Sequence, residues 1–251
     1  MSLIYPLGPA GSVNIGATGY TAQGVRFNGS TIMNLASLSG LADGQKGTIS
    51  FWFKFVGGDG SFQLLVETRD QQSLVLYRDN ANKWTFTLGA TPSGTALNFT
   101  GATAYTSAMA NWVHMIASWD LSGGGSALLY VNDTVMTAPS FSGGSTINYL
   151  ATDTNWDFGA RTGLAIPLNC DIADFYLSTT EYINIANTTE RRKFIDGSGK
   201  PVDLGATGST PTGTAPMIFF SGSVATWHQN KGTGGGGTIV SGSLSASATN
   251  P

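Results

Sequence analysis

The side chains that most often carry out catalysis are few in this sequence. Retaining glycosidases, for example, need two carboxyl groups about 5 Å apart. Glu67 and Asp70 come nearest to such a pair. Glu67 ends a predicted strand and Asp70 lies in the turn that follows, so their side chains need not converge. His114 and His228 are the only histidines, and no Ser-His-Asp set accompanies them. We therefore predict that the protein is not an enzyme.

Two tryptophans have neighbours of the kind that bind sugars. Sugar binding needs an aromatic platform flanked by amide and carboxylate groups at the rim of a sheet. The candidate ligand-binding residues are Trp84 with Asp79 and Asn82, and Trp156 with Asn155, Asp157 and Arg161. The same patterns also fit two core tryptophans that lie beside turns, and we favour that second interpretation.

His114 and Cys170 are chemically versatile residues in positions that predict inert roles. His114 alternates with Trp112 and Ile116 along a predicted strand, which indicates a packed or hydrogen-bonded sheet residue rather than a general base. Cys170 is the only cysteine, so it has no disulfide partner within the chain. Its neighbour Asp171 is anionic and would not help to form a thiolate. We expect a buried, unreactive thiol.

Strands must position these residues, and the clearest are in the hairpin from Asn111 to Ala138. Alternate side chains in this stretch share one face, which is the period of two that a strand imposes. The core face of the first strand is predicted to comprise Val113, Met115, Ala117 and Trp119. The glycines at 123–125 permit the positive φ angles of a hairpin loop, and Asn132-Asp133 suits a second tight turn.

Further strands are predicted on both sides of this hairpin. They are Gly24 to Met33, Thr48 to Phe55, Phe62 to Glu67, Ser73 to Asp79, Lys83 to Leu88 and Cys170 to Leu177. In Thr48 to Phe55, Trp52 lies on the face opposite Phe51 and Phe53, and its environment is ambiguous. The stretch from Gly89 to Ala110 is polar and is predicted to be irregular. The fold class is all-β, a two-sheet antiparallel β-sandwich.

One short helix and an extended segment are predicted to follow the sandwich. Asn187 and Glu190 have the spacing of a capping box. Arg191, Arg192 and Lys193 fall where cations favour the end of a helix, and we interpret them as solvated. After Ser198 the chain is rich in Gly, Ser, Thr and Pro, which is typical of an appended tail. The predicted division is residues 1–186 for the sandwich and 187–251 for the C-terminal segment.

The composition excludes several classes of protein. Charged residues are only 11% of the 251 residues and the net charge is −3, so no basic stripe is available for nucleic acid. No stretch approaches the length of a membrane span. The first residues lack both the positive region and the apolar run of a signal peptide, so we expect synthesis and retention in a cytoplasm.

The order of the strand motifs resembles the concanavalin A-like, laminin-G-like jelly-roll superfamily. The motifs are VRFNGS, GTISFWFKF, NWVHMIASWDLSGGGSALLYVND, WDFGAR and CDIADFYLS, and they cover roughly residues 20 to 180. The resemblance implies a lectin-like jelly roll. Glucanases of this superfamily carry Glu-x-Asp-x-x-Glu on one strand, and that pattern is absent from this sequence.

Related domains often bind calcium through Asp and Asn side chains in loops. Asp133, Asp153, Asp157 and Asn155 are the loop residues in question. No spaced ligand loop accompanies them, so we predict no metal or cofactor, with calcium the one ion that the resemblance allows. Asx turns are the other interpretation of these residues.

The remainder of the chain resembles the C-terminal segment attached to laminin-G-like domains in structural proteins of tailed bacteriophages. The run ERRKFIDGSGKPVDLGATGSTPTGTAPMIFFSG and then HQNKGTGGGGTIVSG carry this resemblance. It implies a virion protein made in the host cytoplasm, as a capsid decoration, head-fibre or tail-associated subunit. The implied partners are copies of itself, the major capsid protein and cell-surface glycans, with no nucleic acid and no membrane. The alternative is a dedicated carbohydrate-binding or carbohydrate-processing protein.

Overall fold

The computed structural model describes residues 19–36, 38–69, 73–150, 155–161, 163 and 165–251. These residues form two antiparallel sheets packed face to face, with one short helix, as the sequence predicts. In chain order the elements are β1 (Val25–Asn28), β2 (Ile32–Leu35), β3 (Lys46–Phe55), β4 (Gln63–Thr68), β5 (Leu74–Arg78), β6 (Lys83–Thr91), β7 (Thr95–Ala104), β8 (Val113–Asp120), β9 (Ser126–Val131), β10 (Thr134–Val135), β11 (Ser140–Phe141), β12 (Thr146–Ile147), β13 (Trp156–Phe158), β14 (Asn169–Ser178), α1 (Thr188–Arg191), β15 (Ile218–Phe220), β16 (Thr238–Ser241) and β17 (Ser245–Ala246).

The first sheet has the order β10-β9-β8-β3-β14-β1-β17, and β15 also pairs with β14. Strands β1 and β15 lie end to end along the same edge of β14. The second sheet has the order β11-β7-β6-β5-β4-β13-β2-β16, and β12 also pairs with β6. Sequence neighbours in this sheet pair from β4 to β7, which is the meander expected from closely spaced strands.

The predicted hairpin is confirmed. Strands β8, β9 and β10 run out, back and out again, with positive φ at Gly123 and Gly125 in the first loop. The predicted core face of β8 packs into the space between the two sheets. Asn132 and Asp133 both have positive φ, which Asn and Asp tolerate better than most residues.

The prediction that Gly89 to Ala110 is irregular is wrong. Strand β6 continues to Thr91, and β7 pairs with it as the next strand of the meander. Phe99 and Leu97 of β7 are buried in the core. Leu97 and Phe99 are the two large apolar residues on the core face of this strand, where Gly101 and Thr103 follow them, so the alternation is too short to mark a strand.

Residues 187–251 contribute strands to both sheets. Strand β15 pairs with β14, β16 pairs with β2, and β17 pairs with β1. Trp227, which lies in an irregular stretch after β15, is fully buried in the core between the sheets. This segment has core contacts that the sequence pattern of a Gly/Thr-rich tail does not show. The assignment of residues 187–251 to assembly stays a prediction.

The same segment covers part of the outer face of the first sheet. Ile116 of β8 and Tyr176 of β14 point away from the main core and form a second apolar cluster with residues that follow β14. The partners from that later part of the chain are Ile183, Ile185, Phe194, Leu204 and Phe219. The first sheet is therefore buried on both faces over this area.

Helix α1 begins where the sequence predicts, because the Asn187 side chain accepts a hydrogen bond from the Thr189 backbone nitrogen. The prediction of a solvated basic run is wrong for Arg191. Its guanidinium lies 4.3 Å from the centre of the Tyr130 ring, and it donates to Asp133 at 2.6 Å. Arg192 also donates to Asp133 at 2.6 Å. These hydrogen bonds from Arg192 and Arg191 lower the pKa of Asp133 to about 2.

Candidate functional site

Most of the polar residues singled out around Trp156 lie on the outer face of the second sheet, where they form ion pairs. Asp157 of β13 stands directly opposite Glu67 of β4. Arg161 donates to both oxygens of Glu67, at 2.8 and 2.7 Å. Arg69 donates to Asp157 at 3.2 Å, and Asn34 donates to the same carboxylate at 3.0 Å. Both carboxyl side chains are fully buried.

The sequence missed the partners in this group because they are remote in the chain. Glu67 and Arg161 are separated by 94 positions, and Arg69 and Asp157 by 88. The pairing of β4 with β13 brings them together. Asn155 is held nearby, where its backbone oxygen accepts a hydrogen bond from the Arg69 nitrogen. Asp70, the other carboxyl considered for catalysis, lies outside the described residues.

Neither predicted tryptophan platform is at the surface. Trp84 is fully buried, with its ring centre 5.3 Å from those of Phe53 and Phe55. Trp156 is also fully buried in the main core. The structure thus shows core tryptophans beside turns, which is the interpretation that the sequence favoured. Neither indole offers a face on which a sugar ring could stack.

Asp79 and Asn82 belong to the turn between β5 and β6. Asp79 Oδ1 accepts hydrogen bonds from the backbone nitrogens of Ala81 and Lys83, which is an Asx turn. Asn82 has a positive φ of 64°, and its Oδ1 accepts from the Gly60 nitrogen. This turn is near the start of β4, whereas Asn155 is beside its end, so the two predicted groups are not brought together.

The loop carboxylates do not fit a calcium site. Asp133 and Asp157 are each held by arginine, so a cation would have to displace a guanidinium from either one. Asp153 lies outside the described residues. In the part of the chain that the structure describes, no group of three or more His, Cys, Asp and Glu side chains could hold a metal ion.

His114 and Cys170 have the environments that the sequence predicts. His114 is fully buried, and its Nε2 forms a 2.8 Å hydrogen bond with the hydroxyl of Ser50. Burial lowers the pKa of His114 to about 3, so the ring is neutral at physiological pH. Cys170 is buried too, and burial raises the pKa of its thiol well above the usual range. Neither group is poised for catalysis.

A cavity of about 440 Å³ opens on the outer face of the first sheet. Its size is within the range of small-molecule sites. Part of its lining comes from β3 and from the residues that precede β8. The lining residues are Trp52, Lys54, Ala110, Asn111, Trp112, Ser198, Gly199, Lys200, Thr249, Asn250 and Pro251. We call this the sheet-face cavity.

Three parts of the chain that are far apart in sequence build the sheet-face cavity. Trp52 and the neighbouring Ile195 pack in one small apolar cluster, which anchors the turn containing residues 198–200. The turn is closed by the backbone bridge between Ile195 and Pro201. The last residues are held on the other side, where Thr249 accepts a 3.1 Å hydrogen bond from Trp112 Nε1. Residues of the C-terminal segment therefore form about half of the lining.

Gly24 sets the position of the Trp112 indole. A Cβ atom at residue 24 would lie only 2.7 Å from two carbons of that ring, closer than real Cβ contacts. The backbone nitrogen of Gly24 also donates to Asn250 Oδ1 at 2.9 Å, and its oxygen accepts from the Ser247 nitrogen. Glycine thus lets the indole and the last residues of the chain approach the same backbone.

The sequence contained one signal for this cavity. Trp52 of β3 and Trp112, just before β8, both alternate away from the core side, although the sequence pattern leaves the environment of Trp52 ambiguous. Two outward-facing tryptophans on neighbouring strands mark a surface that must be covered or must bind something. The covering residues come from 198–200 and 249–251, which no local pattern connects to these strands.

The sequence matches the model of one protein family. A model described as the Concanavalin A-like lectin/glucanases superfamily matches residues 27–182, more than half of the chain. A search of curated protein sequences gives no match. In the described residues, no helix is both long enough and apolar enough to cross a membrane.

Solved structures share the fold at low sequence identity. A candidate carbohydrate-binding protein from Bacteroides ovatus superposes with a TM-score of 0.61 and 9% identity over 92% of this chain. This chain covers 62% of that structure's length. A pentraxin from Limulus polyphemus also matches, with a TM-score of 0.43 and 10% identity over 66% of this chain and 79% of the pentraxin. The mouse laminin α1 LG4-5 domains match with a TM-score of 0.47 and 11% identity over 64% of this chain and 43% of theirs. At these identities the likeness shows the fold alone.

Proposed function

The chain belongs to the concanavalin A-like lectin/glucanases superfamily, and from this premise we propose that it is a non-enzymatic, glycan-binding structural protein of a bacteriophage virion. The glycan-binding part rests on the sheet-face cavity. The virion part rests on the resemblance of residues 187–251 to segments of phage structural proteins. The two parts have separate tests.

The lining of the sheet-face cavity supports glycan binding. Trp52 and Trp112 both line the cavity; Trp112 is partly exposed, whereas Trp52 is only 4% exposed. Indole rings offer flat apolar surface to the carbon-bound hydrogens of a sugar, and the amides of Asn111 and Asn250 offer donors and acceptors to its hydroxyls. An aromatic wall with neighbouring amides is the combination that the predicted sites around Trp84 and Trp156 lack at the surface.

We expect Trp112→Ala to weaken glycan binding by about tenfold or more, because truncation of a central aromatic group removes the wall of the cavity. Binding would be identified on a glycan array and then measured by titration calorimetry. The matched control is Phe62→Ala, because Phe62 is 45% exposed beside Tyr77 on the second sheet. Circular dichroism and thermal unfolding would verify that both variants fold.

The opposite result for these two variants would show that the glycan binds elsewhere. If Phe62→Ala abolishes binding while Trp112→Ala does not, the ligand lies on the second sheet and the sheet-face cavity is not the site. A protein that binds no glycan on the array contradicts the glycan-binding proposal.

The arrangement of the carboxylates supports the absence of catalysis. Glu67 and Asp157 stand opposite each other on adjacent strands, and a retaining glycosidase needs two carboxyl groups close together. However, both oxygens of each carboxylate accept hydrogen bonds from arginine. Neither carboxylate has an oxygen free to protonate a leaving group. Release of reducing sugar from any bound glycan would contradict this part of the proposal.

The virion role predicts that the protein is a component of purified phage particles. As a capsid decoration, head-fibre or tail-associated subunit, it would contact copies of itself or the major capsid protein. Mass spectrometry of purified particles would detect it, and a particle reconstruction would give its position. If particles lack the protein while glycan binding is retained, the alternative stands: a dedicated carbohydrate-binding protein. That alternative is equally compatible with the Bacteroides ovatus likeness.

A further inference from the structure

The charged groups around the sheet-face cavity are unbalanced. Lys54 and Lys200 both line it, and no Asp or Glu side chain is among the lining residues. The whole protein carries a net charge of −3, so this positive site is a local feature.

Lys54 has an acidic neighbour that is already occupied. On the first sheet it stands directly opposite Asp171 of β14. Asp171 accepts both hydrogen bonds of the Arg26 guanidinium, at 2.7 and 2.8 Å, and a third from the Ser247 hydroxyl at 2.6 Å. Lys54 forms no ion pair within the described residues, so its ammonium group is available to a ligand.

Lys200 is presented in the same way by its turn. Asp196, four positions earlier, directs its carboxylate at the backbone nitrogens of Ser198 and Lys200, at 2.7 and 2.9 Å. Asp203, three positions later, accepts a hydrogen bond from the Gly205 backbone nitrogen at 2.8 Å. The backbone hydrogen bond from Asp196 to the Lys200 oxygen closes the turn at 2.8 Å. The Lys200 side chain is exposed at the cavity and forms no ion pair among the described residues.

We propose that the ligand of the sheet-face cavity is an acidic saccharide, whose carboxylate or sulfate group is bound by Lys54 and Lys200 while its ring packs on Trp112. This inference rests on the proposed glycan-binding function. Ammonium groups act as point charges, so they can bind either a carboxylate or a sulfate. Partial enclosure in the cavity strengthens the interaction relative to bulk water.

The test is an array on which acidic oligosaccharides are printed beside neutral counterparts. Uronic- and sialic-acid oligosaccharides are paired with their methyl esters, and sulfated oligosaccharides with desulfated forms. We expect an acidic member to bind about tenfold more tightly than its neutral counterpart, with affinity that falls as salt rises. If methyl esterification weakens binding, the bound anion is a carboxylate. If desulfation weakens binding, the bound anion is a sulfate.

Three lysine variants assign the effect to the cavity. Lys54→Gln and Lys200→Gln are expected to remove the preference for the acidic form over its neutral counterpart. Lys83→Gln, at the start of β6 on the second sheet, is the matched control and is expected to keep the preference. The glutamine substitutions remove the charge but keep a polar side chain of nearly the same length, and unfolding curves would verify the fold of each variant.

The outcomes separate this inference from the proposed function. If acidic and neutral members bind equally and Trp112→Ala weakens both, the cavity binds glycans but the acidic specificity is wrong. A preference that survives both cavity variants and is lost in Lys83→Gln also overturns it. If nothing binds, both proposals are wrong.

Discussion

Trp227→Ala is expected to lower the free energy of unfolding by about 3–5 kcal/mol, the range for truncation of a large buried aromatic side chain. Trp227 is fully buried, and its ring centre is 5.1 Å from that of Phe220 and 5.9 Å from that of Phe27. Phe27 belongs to the sandwich and Phe220 to the C-terminal segment. Removal of the indole therefore leaves a cavity at the junction of the two.

The measurement is urea-induced unfolding followed by tryptophan fluorescence and circular dichroism. Val240→Ala is the control, because Val240 is in the same segment but is 56% exposed, so a change within about 0.5 kcal/mol is expected.

A chain that ends at Ala186 tests more severely whether the sandwich needs residues 187–251. It loses β15, β16, β17 and Trp227, and we expect no cooperative unfolding transition. A folded 1–186 fragment, or an unchanged stability of Trp227→Ala, would show that residues 187–251 are an appendage.

Asp174→Asn is expected to stabilise the protein above neutral pH by on the order of 3 kcal/mol. Asp174 is almost fully buried at the irregularity of β14, with a positive φ of 43°. Its Oδ2 accepts a 2.8 Å hydrogen bond from the Tyr20 hydroxyl, and Oδ1 has no hydrogen-bond partner among the described residues. Burial raises the pKa of Asp174 to about 7; the hydrogen bond from Tyr20 opposes the rise, Asp203 adds to it, and Lys231 opposes it.

The sign of the pH dependence follows from this pKa. In the unfolded chain Asp174 loses its proton near its usual pKa of about 4, whereas the folded protein keeps the proton until pH approaches 7. The contribution of Asp174 is therefore fully present below about pH 4 and is lost as pH rises to about 7. Asparagine is neutral at every pH and tolerates a positive φ, so the variant lacks this loss.

Urea unfolding at pH 5 and pH 8 would measure the effect, with the variant compared to the parent at each pH. That comparison cancels the opposite contribution of His114, whose lowered pKa favours the folded state as pH rises from 3 to about 6.5. Asp171→Asn is the control. It breaks the pair with Arg26 and is expected to be less stable than the parent at both pH values. Equal pH dependence in the parent and Asp174→Asn would contradict the prediction.

Local sequence patterns were sufficient to predict most strands of the sandwich, but they were insufficient to predict the candidate binding site. The alternation in β3 and β8 marks the core side of each strand, and Asn187 marks the start of α1. The alternation does not mark strand β7, because Leu97 and Phe99 are the two large apolar residues on its core face. The predicted sugar platforms at Trp84 and Trp156 are core residues, because a tryptophan beside a turn has the same sequence signature whether its ring points inward or outward.

The sequence by itself determined the fold class, the hairpin from Asn111 to Ala138, and the inert roles of His114 and Cys170. Each of these follows from a pattern in residues that are close in the chain or alternate along one strand. Only the tertiary structure decided where Trp227 lies, which arginine holds which carboxylate, and that Trp52, Lys54 and Trp112 share a cavity with residues 198–200 and 249–251. The physical reason is that strand pairing and burial bring these groups together over long separations in the chain. In addition, a Gly/Thr-rich segment has no apolar periodicity from which its partner sheet could be predicted.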